Sequence, residues 1–346
     1  MNRILGALCA LAIVVAPTAG LSQTRSPVTT TDFEVTCRVG DAIPAAERRA
    51  FENQALRMYR LMIAGQSREA YDMMEQSIQA KVAFNDFRQA IDSVAGLRPY
   101  EEPKVVGTYL AEVKGTPAET STACEGRDGA PEAYVAIEPE GRHAHVRLET
   151  AAGGVRYAFT YWLKPVKGQW VVYGFDYRNI TVAGLEAQAL FDLARQWDKA
   201  EVQFNAWMLY RRAMALASRG PYLSTPLQME INDAGVAFDP TVFVEGTFPI
   251  YWDWDDVVYS VDDAFAERGE DGRLWVHLTR YPTVWEARRV ETENRRFIET
   301  FLKVHPDVPK VFGGVQILST HPDGKTTIAT QWTKATGYEK PKGTRA

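Results

Sequence analysis

The segment YWLKPVKGQWVVYGF, residues 161–175, contains the strongest secondary-structure signal in the chain. Two runs rich in Val, Tyr and Trp flank Lys167-Gly168, a dipeptide that favours a tight turn. The segment therefore predicts an antiparallel hairpin with strands over residues 157–163 and 170–177. Upstream, runs of similar length and composition predict strands over residues 105–113, 133–137 and 143–148.

The residues before these strands have a helical period instead. From Pro44 onwards, apolar residues recur at three- and four-residue steps as far as Ile63. Pro44 suits the first turn of a helix, and Gly65 suits its end. Two more helical segments are expected around residues 71–78 and 82–94. Residues 24–43 are expected to form either a linker or an edge strand around residues 33–39. The first domain, assigned to residues 24–180, is thus predicted to contain about three helices followed by a curled antiparallel sheet.

This order of elements resembles the NTF2-like superfamily over residues of about 45–180. The resemblance includes Phe84 and Phe87 in the third helix and the closing hairpin, whose glycine turn is followed by Trp170. It implies a cone-shaped α+β domain. The same scaffold contains enzymes, binding proteins and structural adaptors, so it implies the fold better than the function. Catalytic members place a His and Asp pair inside the cone, and no such pair can be matched here.

The rest of the chain predicts a helical connector and a smaller C-terminal α+β domain. Residues 185–218 form either one helix of about 50 Å or a helical hairpin broken near Asp198. The connector and its linker are assigned to residues 181–235, and the C-terminal domain to residues 236–334. In that domain, strands are expected at 242–247, 254–261, 273–281, 315–319 and 326–332, with a helix at 284–304. Residues 335–346 are expected to form a disordered tail.

The N-terminus has the pattern of a secretory signal peptide, assigned to residues 1–23. Arg3 precedes an apolar run from Ile4 to Ala16, and small residues follow it. The run is shorter than the roughly 20 residues of a membrane span, although a retained anchor is the alternative. No later segment approaches that length without charges. We therefore expect a soluble mature chain in the bacterial periplasm or outside the cell, where cleavage leaves two cysteines, Cys37 and Cys124.

Cys37 and Cys124 are expected to form a disulfide, because such pairs are usually bridged in an oxidising compartment. Closing a loop of this size would contribute about 4–5 kcal/mol in the chain-entropy model. The alternative is a redox or nucleophilic thiol, but the sequence has no CxxC motif and no flanking histidine.

Composition and motifs exclude several classes of function. Hydrophobic residues make up 46% of the chain, which indicates packed cores, and the net charge of -5 argues against nucleic acid as a partner. The sequence contains no GxSxG, HExxH or Walker motif. No cofactor is therefore expected.

His143 and His145 are the only close pair of histidines. Residues two apart on a strand share a face, so both imidazoles could bind one metal ion if a third ligand were available. No spacing identifies that ligand. The alternative is a solvent-facing strand edge without metal.

The segment from Trp252 to Asp256 is the most unusual polar stretch. Indole rings stack on sugars and carboxylates accept hydroxyl hydrogen bonds, so a glycan could bind here. The candidate ligand-binding residues are Trp252, Asp253, Trp254, Asp255 and Asp256. In the alternative interpretation, both tryptophans anchor the core and the aspartates face solvent or cap a helix.

The leading functional hypothesis is an exported, non-enzymatic binding or assembly module of the cell envelope. Its partner would be a protein or a small ligand, held in the cone or at the domain junction. A second hypothesis is a hydrolase or lyase that acts on an envelope polysaccharide through the carboxylates of residues 252–263. A third is an assembly factor that uses residues 185–218 as its contact surface.

Overall fold

The computed structural model describes residues 33–96, 100–116, 119–236 and 249–339. The predicted signal peptide and the strand expected at 242–247 lie outside these residues. The chain has a mixed α+β fold, as expected, and divides into two compact units. The first unit comprises Met1–Ile180 with Ser218–Pro226, and the second comprises Thr181–Ala217 with Leu227–Ala346.

In the first unit, four helices precede most of the strands. The helices are α1 (Ala45–Ala64), α2 (Ser67–Asp72), α3 (Gln76–Gln79) and α4 (Phe84–Ala95). The strands are β1 (Glu34–Val39), β2 (Lys104–Lys114), β3 (Ser121–Glu125), β4 (Pro131–Ala136), β5 (Gly141–Ala152), β6 (Val155–Val166) and β7 (Gln169–Asn179). A short hairpin of β8 (Thr181–Val182) and β9 (Leu185–Glu186) belongs to the second unit, and β10 (Leu223–Ser224) returns to the first.

The helix predicted from Pro44 to Gly65 is present as α1. Gly65 ends it with a φ of 70°, a left-handed conformation, and its N–H donates to the carbonyls of Leu61 and Met62. Glycine adopts this backbone conformation without steric cost, which is why the helix stops there.

Two antiparallel sheets form the rest of the first unit. The larger has the strand order β1-β2-β5-β6-β7, and the smaller has the order β10-β4-β3. The hairpin predicted around Lys167-Gly168 is confirmed, because Val166 pairs with Gln169 and both turn residues have positive φ. Strand β3 has no counterpart among the predicted strands.

The main core of the first unit lies between the helices and one face of the larger sheet. Aromatic rings dominate it: Phe51 packs edge-on against Trp170 at 5.2 Å, and Tyr59 against Phe159 at 5.0 Å between ring centroids. A smaller cluster joins β2 to the second sheet and includes Cys124. The predicted disulfide between Cys37 and Cys124 is confirmed, with their Cα atoms 5.0 Å apart, and it ties β1 to β3.

The second unit begins with a pair of helices, α5 (Ala187–Lys199) and α6 (Gln203–Ala217). Between them Glu201 has a φ of 59°, so the chain forms the helical hairpin rather than the single long helix. Phe191 and Phe204 are buried in the core of this unit. The two helices, which the sequence assigned to a connector, thus cluster with the second unit.

The remaining elements of the second unit form a helical segment, a hairpin, and a five-stranded sheet with two helices. They are α7 (Pro226–Val236), β11 (Ile250–Trp254), β12 (Val257–Val261), β13 (Asp263–Arg268), β14 (Leu274–Arg280), α8 (Ala287–Val304), α9 (Val308–Val311), β15 (Gly314–Thr320), β16 (Thr327–Thr333) and β17 (Gly337–Glu339). The sheet has the order β13-β14-β15-β16-β17. Strands β14 and β15 are parallel, and the connection between them contains α8 and α9, as parallel neighbours require a long crossover.

Two predictions for this unit were wrong in detail. The strand expected over residues 254–261 is interrupted, because Asp255 and Asp256 have positive φ and reverse the chain between β11 and β12. In the tail expected to be disordered, Gly337–Glu339 pairs with β16 as β17. Among the described residues, no helix has both the length and the apolar character that crossing a bilayer requires.

Candidate functional site

On the side of the sheet opposite α1, strands β5, β6 and β7 present mostly polar side chains. We call this side the polar face. Residues paired directly across antiparallel strands point to the same side of the sheet. Three neighbouring rows follow from the register: His145, Trp162 and Gly174; Arg147, Thr160 and Asp176; Glu149, Ala158 and Arg178.

The residues that alternate with these rows are apolar. Val146 and Leu148 on β5, and Phe159 and Tyr161 on β6, are fully buried in the main core. Alternation with a period of two places apolar side chains against the helices and polar ones on the other side. We call the apolar side the inner face.

Ser218–Pro226, the part of the chain that returns to the first unit, crosses the polar face; we call it the strap. Its Gly220 has a φ of 83°, and a Cβ there would lie 2.5 Å from Cβ of Asp176. On β7, a Cβ at Gly174 would lie 2.6 Å from Cζ of Tyr222. Both glycines therefore allow the strap to lie directly on the sheet.

His143 and His145 are buried at one end of the polar face. Nε2 of His145 donates to the carbonyl of Ala136 at 2.9 Å. The indole N–H of Trp162 can only donate, and it lies 3.3 Å from Nδ1 of His143. Nε2 of His143 therefore has the proton and donates to the carbonyl of Glu138 at 3.1 Å. Burial lowers the pKa of His143 to about 4 and that of His145 to about 3, so both imidazoles are neutral.

The expectation that these histidines line a solvent-facing edge was wrong. Strand β5 lies between β2 and β6, and the hydrogen bond to Ala136 shows that β4 covers it. His143 is 2% exposed and His145 is 0% exposed. Within the described ranges, no group of three or more His, Cys, Asp or Glu side chains is arranged to hold a metal ion. The pair instead fixes β5 to the β4–β5 connection.

A lysine is enclosed by aromatic rings next to this pair. The Lys164 ammonium lies 3.4 Å from the ring centroid of Tyr173 and 5.0 Å from that of Trp162, and it forms an ion pair with Glu138. The Tyr173 hydroxyl donates to Oε1 of Glu138 at 2.7 Å. Burial raises the pKa of Glu138, but the bonds from Lys164 and Tyr173 outweigh burial and lower it. The carboxylate is therefore ionised, and the group links β6 and β7 to the connection between β4 and β5.

At the other end of the polar face, arginines gather around two carboxylates. We call this group the arginine cluster; it consists of Arg147, Arg156, Arg178, Arg219, Glu149 and Asp176. Arg178 contacts Asp176 through two nitrogens, at 2.8 and 3.3 Å. Glu149 accepts from Arg156 at 2.6 Å, whereas Nε of Arg147 is 3.8 Å from it.

The arginines of the cluster perturb one another. Burial and, next, the positive charge of Arg147 lower the pKa of Arg219 to about 10, while Glu149 acts in the opposite direction. Burial also raises the pKa of Asp176, although Arg178 opposes this effect. The cluster is thus partly desolvated, and its like charges are close enough to interact.

One donor of Arg147 lacks a hydrogen bond within the part of the chain that the structure describes. Its Nε is buried and has no hydrogen-bond partner among the described residues. A buried donor without a partner has a free-energy cost of about 1–3 kcal/mol, so such groups call for an explanation.

The structure separates the candidate residues of 252–256. Trp252 is 7% exposed and stacks on Trp254 at 4.8 Å between ring centroids, next to Phe301. Asp253 alternates to the exposed side of β11, and Asp255 in the turn forms an ion pair with Lys303 at 3.2 Å. This placement fits the interpretation in which the tryptophans anchor the core. The glycan-binding and polysaccharide-cleaving hypotheses stay predictions.

Sequence reasoning missed the arginine cluster. Arg147 and Glu149 continue the alternation that begins at His143, and Asp176 and Arg178 have the same spacing on β7. That signal indicates a polar sheet face but not a site, since Arg219 joins it only through the strap. No protein-family model, curated protein or solved structure matches this chain.

Proposed function

We propose that the protein is an exported, non-enzymatic binding module of the bacterial envelope, which takes a small ligand or a protein partner on the polar face of its first unit. The observation that supports this most directly is the arginine cluster. Burial and the neighbouring guanidinium groups lower the pKa of Arg219 there, and the buried Nε of Arg147 has no hydrogen-bond partner among the described residues.

Export is supported by two independent features. The N-terminal sequence has a charged start, an apolar run and small residues, as signal peptides do. The bridge between Cys37 and Cys124 is of a kind that persists in oxidising compartments and is rare in the bacterial cytoplasm. The periplasm or the extracellular space is therefore the compartment that we propose.

A binding role is favoured over catalysis by the contents of the inner face. In the NTF2-like fold that we propose for the first unit, catalytic members have a polar pair inside the cone. Here the corresponding space between helices and sheet contains Phe51, Tyr59, Phe159 and Tyr161, each fully buried. The charged groups lie on the opposite side of the sheet, where a ligand or partner would be recognised by charge and shape.

Capture of the binding partner tests the proposal. The tagged full-length chain, purified from the envelope of its native cell, would be compared with Arg147→Gln and with Arg57→Gln, a control on the exposed side of α1. Mass spectrometry would identify co-purifying proteins, glycans and metabolites. We expect a stoichiometric component with the unmodified chain and with Arg57→Gln, and its loss with Arg147→Gln. An identical set from all three proteins would contradict the proposal.

A further inference from the structure

We infer that the arginine cluster is a binding site for an oxyanion, that is, for a carboxylate, sulfate or phosphate group of the ligand. The inference rests on the proposed function and names the chemistry that the polar face recognises. It follows from the convergence of guanidinium groups, from the repulsion between them, and from the buried Nε of Arg147, which has no hydrogen-bond partner among the described residues.

Convergence is fixed by the backbone. Arg147 and Arg178 lie in adjacent rows on β5 and β7, with β6 between them. The strap brings Arg219 to the same place, since Gly220 lies against Asp176. Three separate parts of the chain thus direct guanidinium groups to one area of the sheet, and strands hold such groups more rigidly than loops do.

The carboxylates of the cluster already have close arginine partners. Asp176 is bound by two nitrogens of Arg178, and Glu149 accepts from Arg156 at 2.6 Å. The contact of Arg147 with Glu149 is 3.8 Å long, beyond hydrogen-bonding distance. Besides burial, the positive charges of the other three arginines lower the pKa of Arg219, so an incoming anion would reduce repulsion within the cluster.

The N–H donors of the cluster suit the oxygen atoms of a planar carboxylate or of a tetrahedral phosphate or sulfate. A guanidinium group has five N–H donors in a rigid fork that matches two oxygens of a carboxylate or phosphate. Burial strengthens such charge-assisted bonds, because less water competes for the donors. The buried Nε of Arg147 has no hydrogen-bond partner among the described residues, and the side chain is only about one-fifth exposed. It is therefore the residue that we expect to contact the anion first.

A purely structural ion network predicts the opposite response to mutation. If the cluster served stability alone, removing Arg147 would weaken the fold. If it serves binding, removing Arg147 relieves repulsion and leaves the unliganded protein unchanged or more stable, as happens at many functional sites. Stability without ligand and affinity for ligand therefore change in different directions.

The experiment is a titration of the full chain with inorganic phosphate, sulfate and citrate at constant ionic strength, with chloride as the reference. Calorimetry gives the affinity, and thermal unfolding gives Tm. We expect saturable binding of at least one probe to the unmodified chain and to Arg57→Gln, with a rise in Tm of about 5 °C at a concentration about 100-fold above Kd. Arg147→Gln should bind at least about 10-fold more weakly, and its Tm without anion should be equal or higher.

Absence of saturable binding at millimolar concentrations, or equal binding to Arg147→Gln, would overturn the inference. If Arg147→Gln fails to fold, Arg147→Lys is the second variant, because lysine retains the charge without the forked N–H donors of the guanidinium group. Arg147→Lys should bind the anion several-fold more weakly than the unmodified chain. Unchanged affinity would overturn the inference that these donors recognise the anion. The capture experiment separates the two proposals. A partner lost only with Arg147→Gln, without binding of any probe, would leave the proposed function standing; binding of a probe without any captured component would leave only the anion site.

Discussion

The two faces of the strands β5, β6 and β7 differ in almost every physical respect, although they belong to the same backbone. The inner face consists of buried apolar and aromatic side chains that pack against α1 and α4. The polar face contains two neutral histidines, an enclosed lysine and the arginine cluster. Packing alone explains the first face. The second includes a buried donor without a partner among the described residues and repelling charges, which packing does not explain.

This difference suggests a division of labour within one sheet. Apolar burial contributes about 25 cal/mol per Å² and accounts for the stability of the unit. Partly buried charges contribute little to stability and are often replaceable by apolar residues without loss. Where a chain retains partly buried charges that repel one another, function is the simpler explanation. Four predictions test the contrast between the faces.

The largest effect is expected on the inner face. Phe159 is fully buried and packs edge-on against Tyr59, so Phe159→Ala should leave a cavity and cost about 3–5 kcal/mol of unfolding free energy. Urea denaturation measures this cost. Val166→Ala, at the 39% exposed end of the same strand, is the control and should cost less than about 1 kcal/mol. A loss below about 1 kcal/mol for Phe159→Ala would show that the inner face is not the main core.

Acid should destabilise the protein through the buried histidines. The pKa values of His143 and His145 in the fold lie below the unfolded value of about 6.5, so the unfolded state binds more protons as pH falls. The stability that depends on the neutral state of these histidines is fully present above about pH 6.5. Below that pH, the free energy of unfolding should fall by about 1.4 kcal/mol per pH unit for each histidine, down to about pH 4.

Histidine NMR resonances and urea denaturation between pH 7 and pH 5 check this expectation. Folded-state resonances of His143 and His145 should not titrate above pH 5. His277 and His305 in the second unit, whose pKa is lowered to about 4 by burial, should behave similarly and add to the slope. Titration of His143 near pH 6.5 in the folded protein would contradict its assignment as a neutral acceptor for Trp162.

A smaller effect is expected where the strap lies on the polar face. Gly174→Ala would place a methyl group 2.6 Å from the Tyr222 ring and should cost about 1–3 kcal/mol. In a Tyr222→Ala background the same substitution should cost less than about 0.5 kcal/mol. Urea denaturation of the four proteins in this cycle measures the coupling. Equal costs in the two backgrounds would mean that the strap does not rest on Gly174.

The smallest effect on stability is expected at the arginine cluster. Without added anion, Arg147→Gln should change the unfolding free energy by less than about 0.5 kcal/mol or increase it, because the substitution removes one of several like charges. Arg57→Gln, on the exposed side of α1, gives the reference value in the same urea denaturation. A loss above about 2 kcal/mol for Arg147→Gln would instead make the cluster a structural network.

The sequence was sufficient for the elements with strong local signals. Helix α1 begins after Pro44 and ends before Gly65, and Lys167-Gly168 forms the turn of the closing hairpin. Local backbone preferences determine both features. The strand interruption at Asp255-Asp256 was missed, since two adjacent aspartates with positive φ are rare and the flanking residues all favour strands. The burial of His143 was missed because it depends on β4, a partner set by the tertiary fold.

The candidate site was less accessible from sequence than the fold. A single strand shows that Arg147 and Glu149 share a face, but not that β7 lies two strands away with Asp176 in the same row. Arg219 is separated from β7 in sequence by α5 and α6, so no local pattern connects it to the cluster. Register and the return of the strap are long-range properties, and together they bring the guanidinium groups of the cluster close to one another.

The most direct test of an anion site on the polar face is the side-chain NMR signal of Nε–H of Arg147 during titration with the anion that binds best. We expect a single Arg147 signal to shift and to exchange more slowly with water as the anion saturates, while the signal of Arg57 stays unchanged. Signals of both arginines that shift equally, or an Arg147 signal that does not move at saturation, would contradict the account.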